Sequence, residues 1–234
     1  MNITSIDVIN LSQRISDADA KLMKEAVAQQ LALHVCPAWN VPVPQLNFVS
    51  KQAASGIIMS IEDQPDVDGA LGYHTDMNNL PSGYVFVAPV LDNYGVSLYD
   101  ASNPQNTSVA SVLSHEVLEL LIDPDACEWR DDNGTLYAYE ICDACESNSY
   151  VINVGGADVS VSNFVLPDWF VVGSKGPYDY MKMLTSPFQI DAGGYAVIDR
   201  NGSQEQIFGD KFLAWKKTLK SGNFSRYTKR TTKK

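Results

Sequence analysis

The chain has 234 residues, 45% of them hydrophobic and 19% charged, the make-up of a globular protein with a core, which excludes a disordered chain, a collagen-like fibre and a small disulfide scaffold. The charge is divided: residues 1–210 hold all 28 acids and 8 basic residues, whereas residues 211–234 hold 9 basic residues and no acid. The acidic body repels nucleic acid and anionic lipid, no run of about 18 apolar residues offers a membrane span, and the N-terminus lacks the basic-then-apolar pattern of a secretory signal, so a cytoplasmic location is expected.

Ser16 can cap a helix over 17–35, with Asp19 three residues on and Leu22, Ala26, Val27, Leu31 and Val35 at helical spacing. Pro37, Pro42 and Pro44 are expected to end it. Strand-like runs follow at 46–50, 56–62, 70–75 and 84–90, punctuated by Asp, Asn, Gly and Pro. A second helix is predicted over 108–122, with Thr107 as N-cap and Asp123-Pro124 as its stop. Three hairpins come next. Their strands, 127–130 with 135–141, 150–154 with 158–165 and 195–200 with 204–208, flank Asp131-Asp132-Asn133-Gly134, Gly155-Gly156 and Asn201-Gly202. A short helix is expected over 209–220.

This order is that of an α+β protein, with an N-terminal helix and mixed sheet followed by a buried helix and β-hairpins. Residues 1–210 read as a single domain and 211–234 as a basic C-terminal tail. Such a tail is solvated, or docks on an acidic partner, nucleic acid or a neighbouring subunit of a homo-oligomer. Without a secretion signal Cys36, Cys127, Cys142 and Cys145 are expected as reduced thiols. Cys142-x-x-Cys145 is a lone pair of its type, read first as buried thiols and second as part of a structural zinc site.

The second helix carries the chemistry. With His115 at 0° on a helical wheel, Glu119 falls at about 40° and Glu116 at about 100°, while apolar residues fill the rest. A helix apolar nearly all round is buried, and a buried carboxylate needs a partner. The helix has no Lys or Arg, so a divalent metal is the expected partner. His115 and Glu119, four residues apart, point at one ion, and Glu116 stands beside it, placed to take a proton from water. Further donors are expected from Glu140 and Asp143, in a stretch with three acids in seven residues, one as ligand and one as a partner of His115. His74, at the end of a strand, reads first as a hydrogen-bonded structural histidine and second as a third ligand or a donor to a developing oxyanion, with Tyr73 and Tyr150 as weaker oxyanion donors. Asp123, about 12 Å along the helix from His115, is a stop residue or an outer partner. His34 reads as structural. The run 161–170, ending Pro167-Asp168-Trp169-Phe170, reads as a core strand with a buried aromatic turn, or as a cleft wall. No phosphate-cradling Gly-rich loop, nucleotide fingerprint or Gly-x-Ser-x-Gly elbow is present.

His115-Glu116-Val117-Leu118-Glu119 resembles the His-Glu-x-x-His helix of the zincin metallopeptidases, over roughly residues 17–146. Gly72-Tyr73-His74, Ser114–Glu119 with Asp123-Pro124, and 161–170 are similar to segments of a bacterial and phage protein family. The resemblance implies a zincin-like fold, a bound metal with zinc first, and His115 and Glu116 as ligand and general base. Glu119 replaces the second His, and a set of one His with carboxylates is harder, open to Zn, Mn, Fe or Ca. Two functions follow. One is a zincin-type metal-dependent hydrolase of peptide or protein substrates. The other is a phage virion or assembly protein with a bracing metal and a tail that docks on other virion proteins.

Overall fold

The computed structural model describes residues 3–66, 70–77 and 80–212 of a mixed α+β chain. One inner strand of its larger sheet is one that periodicity passes over. Ser5–Asn10 forms β1, in which Ile6, Val8 and even Asp7 are buried. The Asp7 carboxylate accepts from Asn47 Nδ2 (3.0 Å) and from the Ser55 amide (2.9 Å), which is how a charged residue sits inside a sheet.

Helix α1 (Asp17–Gln30) starts as expected, with Ser16 Oγ accepting from the Asp19 amide. It runs further than the prolines suggest. Leu31–Val35 is a π-helical turn whose last bond joins the Cys36 amide to the Leu31 carbonyl, and α2 (Cys36–Trp39) carries Pro37 in its first turn. The wider turn accommodates the missing proline N–H. Asn40, at φ 52°, ends the stretch in the left-handed conformation.

Strands β2 (Gln45–Phe48), β3 (Ile58–Glu62), β4 (Gly72–Met77) and β5 (Leu80–Phe86) join β1 in a five-stranded sheet of order β2-β1-β3-β5-β4. All neighbours are parallel except β4, which lies antiparallel to β5 at the edge, with His74 opposite Gly83. The strand expected over 84–90 stops at Phe86, where α3 (Val87–Leu91) begins. Pro89 has no N–H for a ladder, and the chain turns before it.

The second helix, α4 (Val109–Ile122), begins one residue later than expected. Ser108, not Thr107, is the N-cap, and it exchanges bonds with Ser111 in a capping box. The helix packs on β4 and β5 and on β9 (Ala157–Ser162), which forms a hairpin with β8 (Ser149–Val154). This explains its all-round apolarity. Strands β6 (Trp129–Asp132), β7 (Thr135–Ala138), β10 (Tyr195–Arg200) and β11 (Ser203–Phe208) form an antiparallel sheet of order β11-β10-β7-β6. Residues 161–170 supply core, with Val161, Phe164 and Trp169 fully buried and a 3₁₀ turn at Pro167–Phe170. The helix expected over 209–220 and the basic tail lie outside the described residues from 213 on, and 209–212 are not helical. Among the described residues no helix is long and apolar enough to cross a membrane.

A buried polar triangle fixes how α4 sits. Ser114 Oγ donates to Gln30 Oε1 (2.6 Å), Gln30 Nε2 donates to the Ser162 carbonyl (2.8 Å), and the Ser162 amide donates to Ser114 Oγ (3.0 Å). α1, α4 and β9 are thereby tied at the residue before His115. Gln30→Leu removes one corner and strands two buried polar groups. A loss of about 1–3 kcal/mol in unfolding free energy is expected, read from a urea denaturation midpoint.

Candidate metal centre

Three chain segments converge at the polar arc of α4. The helix presents His115 and Glu119 one turn apart, with Glu116 to the side. Strand β4 presents His74 and, two residues before it on the same face, Gly72. The segment after β7 presents Glu140, Cys142 and Asp143, the last in a 3₁₀ turn, Asp143–Cys145, that packs on β10. His74, His115, Glu116, Glu119, Glu140, Cys142 and Asp143 are all buried, Glu119 and His74 completely.

Glu119 is the hinge of the arrangement. Its Oε1 lies 3.1 Å from His115 Nε2 and accepts from the Cys142 amide at 3.2 Å. Asp143 Oδ1 lies 3.2 Å from the same His115 nitrogen. Glu119 Oε2 lies 3.9 Å from His74 Nδ1. Two groups of donors result, each with its ligand atoms within 4.8 Å of one another: His115, Glu119 and Cys142, and His74, Glu119 and Glu140. These buried His/Glu/Cys groups have the composition to hold a metal ion. Ligands about 2.0–2.1 Å from a tetrahedral zinc stand about 3.3 Å apart, which matches the spacing around His115 Nε2.

The electrostatics point the same way. Among the described residues no Lys or Arg is buried. Arg130 is turned elsewhere, with its guanidinium over the Tyr139 ring (3.6 Å) and bound to Glu128 (2.9 Å). Burial by itself lowers the affinity of His115 for its proton. The charge of Glu119, hydrogen bonds to Asp143 and Glu119, and the charge of Glu116 outweigh it and lift the imidazole pKa well above its ordinary value.

The structure sorts the expected residues. His115, Glu119 and Asp143 meet as anticipated. Glu140 groups with Glu119 and His74 instead, its Oε2 3.9 Å from His74 Nε2. Glu116 Oε2 lies 3.7 Å from His74 Nδ1. His74 is wholly enclosed, with Nε2 3.0 Å from the Asp123 carbonyl. A carbonyl only accepts, so Nε2 carries a proton, and Nδ1 is the nitrogen that faces Glu116 and Glu119. Asp123 is thus an outer partner through its backbone, while its side chain accepts from the Glu128 amide (2.9 Å).

Tyr73 points to the opposite face of β4, where its hydroxyl donates to Asp66 (2.7 Å), so it does not serve as an oxyanion donor. Tyr150 is engaged with His34 Nδ1 (2.8 Å) and Gln30 (3.1 Å), and His34 stacks on Tyr180. Cys142, read in the sequence first as a buried thiol and second as part of a structural zinc site with Cys145, stands among the donors of the His115 group. Its signal was its place beside Asp143, two residues after Glu140. All four cysteines are free thiols.

A pocket of about 50 Å³ opens onto His115 and Glu116, with Gly72, Ser111, Glu146 and Ser149 among its lining. It has room for a few water molecules. No protein-family model, curated protein sequence or solved structure matches the chain. The function is therefore argued from the site itself.

Gly72 is required by close approach. A Cβ there would stand 2.8 Å from Glu116 Cγ and 2.8 Å from the Tyr84 carbonyl oxygen. Gly72→Ala is expected to displace the Glu116 carboxylate and lower unfolding free energy by about 1–3 kcal/mol, measured by chemical denaturation.

Proposed function

We propose that the chain is a metal-dependent hydrolase of zincin type, acting on peptide or amide bonds. The observation that carries this reading is the helical pair His115 and Glu119, 3.1 Å apart at their donor atoms, with Glu116 beside them on the pocket. His115 and Glu119 would hold the ion, with Asp143 or Cys142 as third donor. The softness of a thiolate favours zinc over the harder divalent ions. The element order supports the zincin reading too: a first helix, a sheet whose last strands precede the motif helix, then that helix.

When bound, the ion supplies a Lewis acid that polarises a carbonyl and makes water a better nucleophile. Glu116 takes the proton from water in the pocket and hands it to the leaving amine. A peptide suits the geometry, because the pocket opens at the first residue of the edge strand β4, where an extended backbone can add alongside. His74 supports this arrangement from beneath. It is not among the residues that line the pocket, so a direct role at an oxyanion is not part of the reading.

One observation favours the second reading, an assembly or virion protein braced by its metal: the pocket is small beside ligand pockets of about 300–1,000 Å³. Glu116→Gln separates the two. In a hydrolase it keeps zinc at the wild-type level and loses about 10²–10⁴-fold of turnover on a fluorogenic peptide library. A zinc-loaded wild type that cleaves nothing in that library leaves the bracing role as the better reading.

Because the ion must displace a proton from His115, zinc binding is expected to release protons. Zinc affinity should therefore climb as pH rises above the ordinary imidazole range, as read by competition with a chromophoric chelator. A flat affinity profile would place His115 off the metal.

A further inference from the structure

We infer that the centre holds a second, enclosed cation, bound by His74, Glu119 and Glu140 and sharing Glu119 with the first. This rests on the reading of His115 and Glu119 as ligands of the first ion.

Three observations lead here. The first is the donor set. His74, Glu119 and Glu140 bring one imidazole and two carboxylates within 4.8 Å of each other, from β4, α4 and the segment after β7. Their side chains are 0%, 0% and 2% exposed. The second is the orientation of His74. With Nε2–H held by the Asp123 carbonyl, the ring presents Nδ1 toward Glu119 Oε2. A ligating histidine is commonly fixed through its far nitrogen in this manner. Glu119 in turn directs Oε1 to His115 and Oε2 to His74, the posture of a carboxylate that bridges two ions. Metal pairs of this type stand about 3.5–4 Å apart.

The third observation is charge. Glu116, Glu119, Glu140 and Asp143 bring four carboxylates into one buried cluster with two imidazoles, and among the described residues no Lys or Arg is buried. The two positions also differ in access. His115 borders the pocket, whereas neither His74 nor Glu140 does. An ion with an open coordination position suits chemistry, and a closed one suits structure. The outer ion is thus the reactive one, and the inner ion fixes Glu119 and balances charge.

The test is metal stoichiometry on the full chain. Protein stripped with a chelator is dialysed against excess zinc, then desalted, and its zinc is measured by elemental analysis. Wild type is expected to hold two equivalents. His74→Ala and Glu140→Gln are each expected to hold one, and His115→Ala one. Glu140→Gln keeps shape and hydrogen-bonding capacity, so it reads the site even where His74→Ala fails to fold, and a thermal melt of each variant identifies which are folded. One equivalent in wild type that vanishes only in His115→Ala overturns the second site and leaves the first intact. Two equivalents unchanged in folded Glu140→Gln also overturns it. No zinc in wild type overturns both this inference and the reading of His115 and Glu119 on which it rests.

Discussion

The structure turns on one carboxylate. Glu119 is entirely buried on a helix that has no basic residue, and it is met by two imidazoles, one from its own helix and one from a sheet edge. An unpaired charge in that position would be costly or would neutralise itself by taking a proton. The surroundings answer this demand. A backbone amide of the returning chain, Cys142 N–H, points at one oxygen. The strand edge supplies His74, and Gly72 leaves room for the neighbouring Glu116. The layers above and below α4 shut out water, which sharpens every one of these interactions.

Most of this was legible at the motif helix and little of it elsewhere. The wheel of α4 carried two independent signals, apolarity all round and three polar groups on one arc. Burial and a convergent site follow from those two facts alone. His115, Glu116 and Glu119 were therefore readable, and Asp143 nearly so from local acid density. The pairing of Glu140 with His74 was not. It depends on where β4 lands relative to the segment after β7, and side-chain pairing between distant segments leaves no local pattern. Cys142 was read with Cys145, as a buried thiol first and part of a structural zinc site second, because that spacing is local, whereas its place beside His115 and Glu119 is set by the fold.

The fold shows the same division. The hairpins announced themselves through their turn residues, and β10 (Tyr195–Arg200) has the expected bounds. Strand β1 did not, since Asp7 interrupts its apolar run and is satisfied only by partners forty or more residues away. The prolines after residue 35 suggested an end that the π-helical turn moved on to Asn40. In both cases tertiary partners overrode a local rule that is sound in isolation.

The ligands' positions along the chain bear on the order in which the molecule assembles. His74 and the carbonyl it meets are 49 residues apart, and Glu119 and the amide that binds it are 23 apart. Each donor group draws on separate segments of the chain, unlike the short loops of small zinc modules whose metal drives folding. The sheet edge, the helix and the returning segment must first be brought together, at the entropic cost of closing long loops. An ion taken up at this site would enter at the end of folding, as a lock on a finished structure.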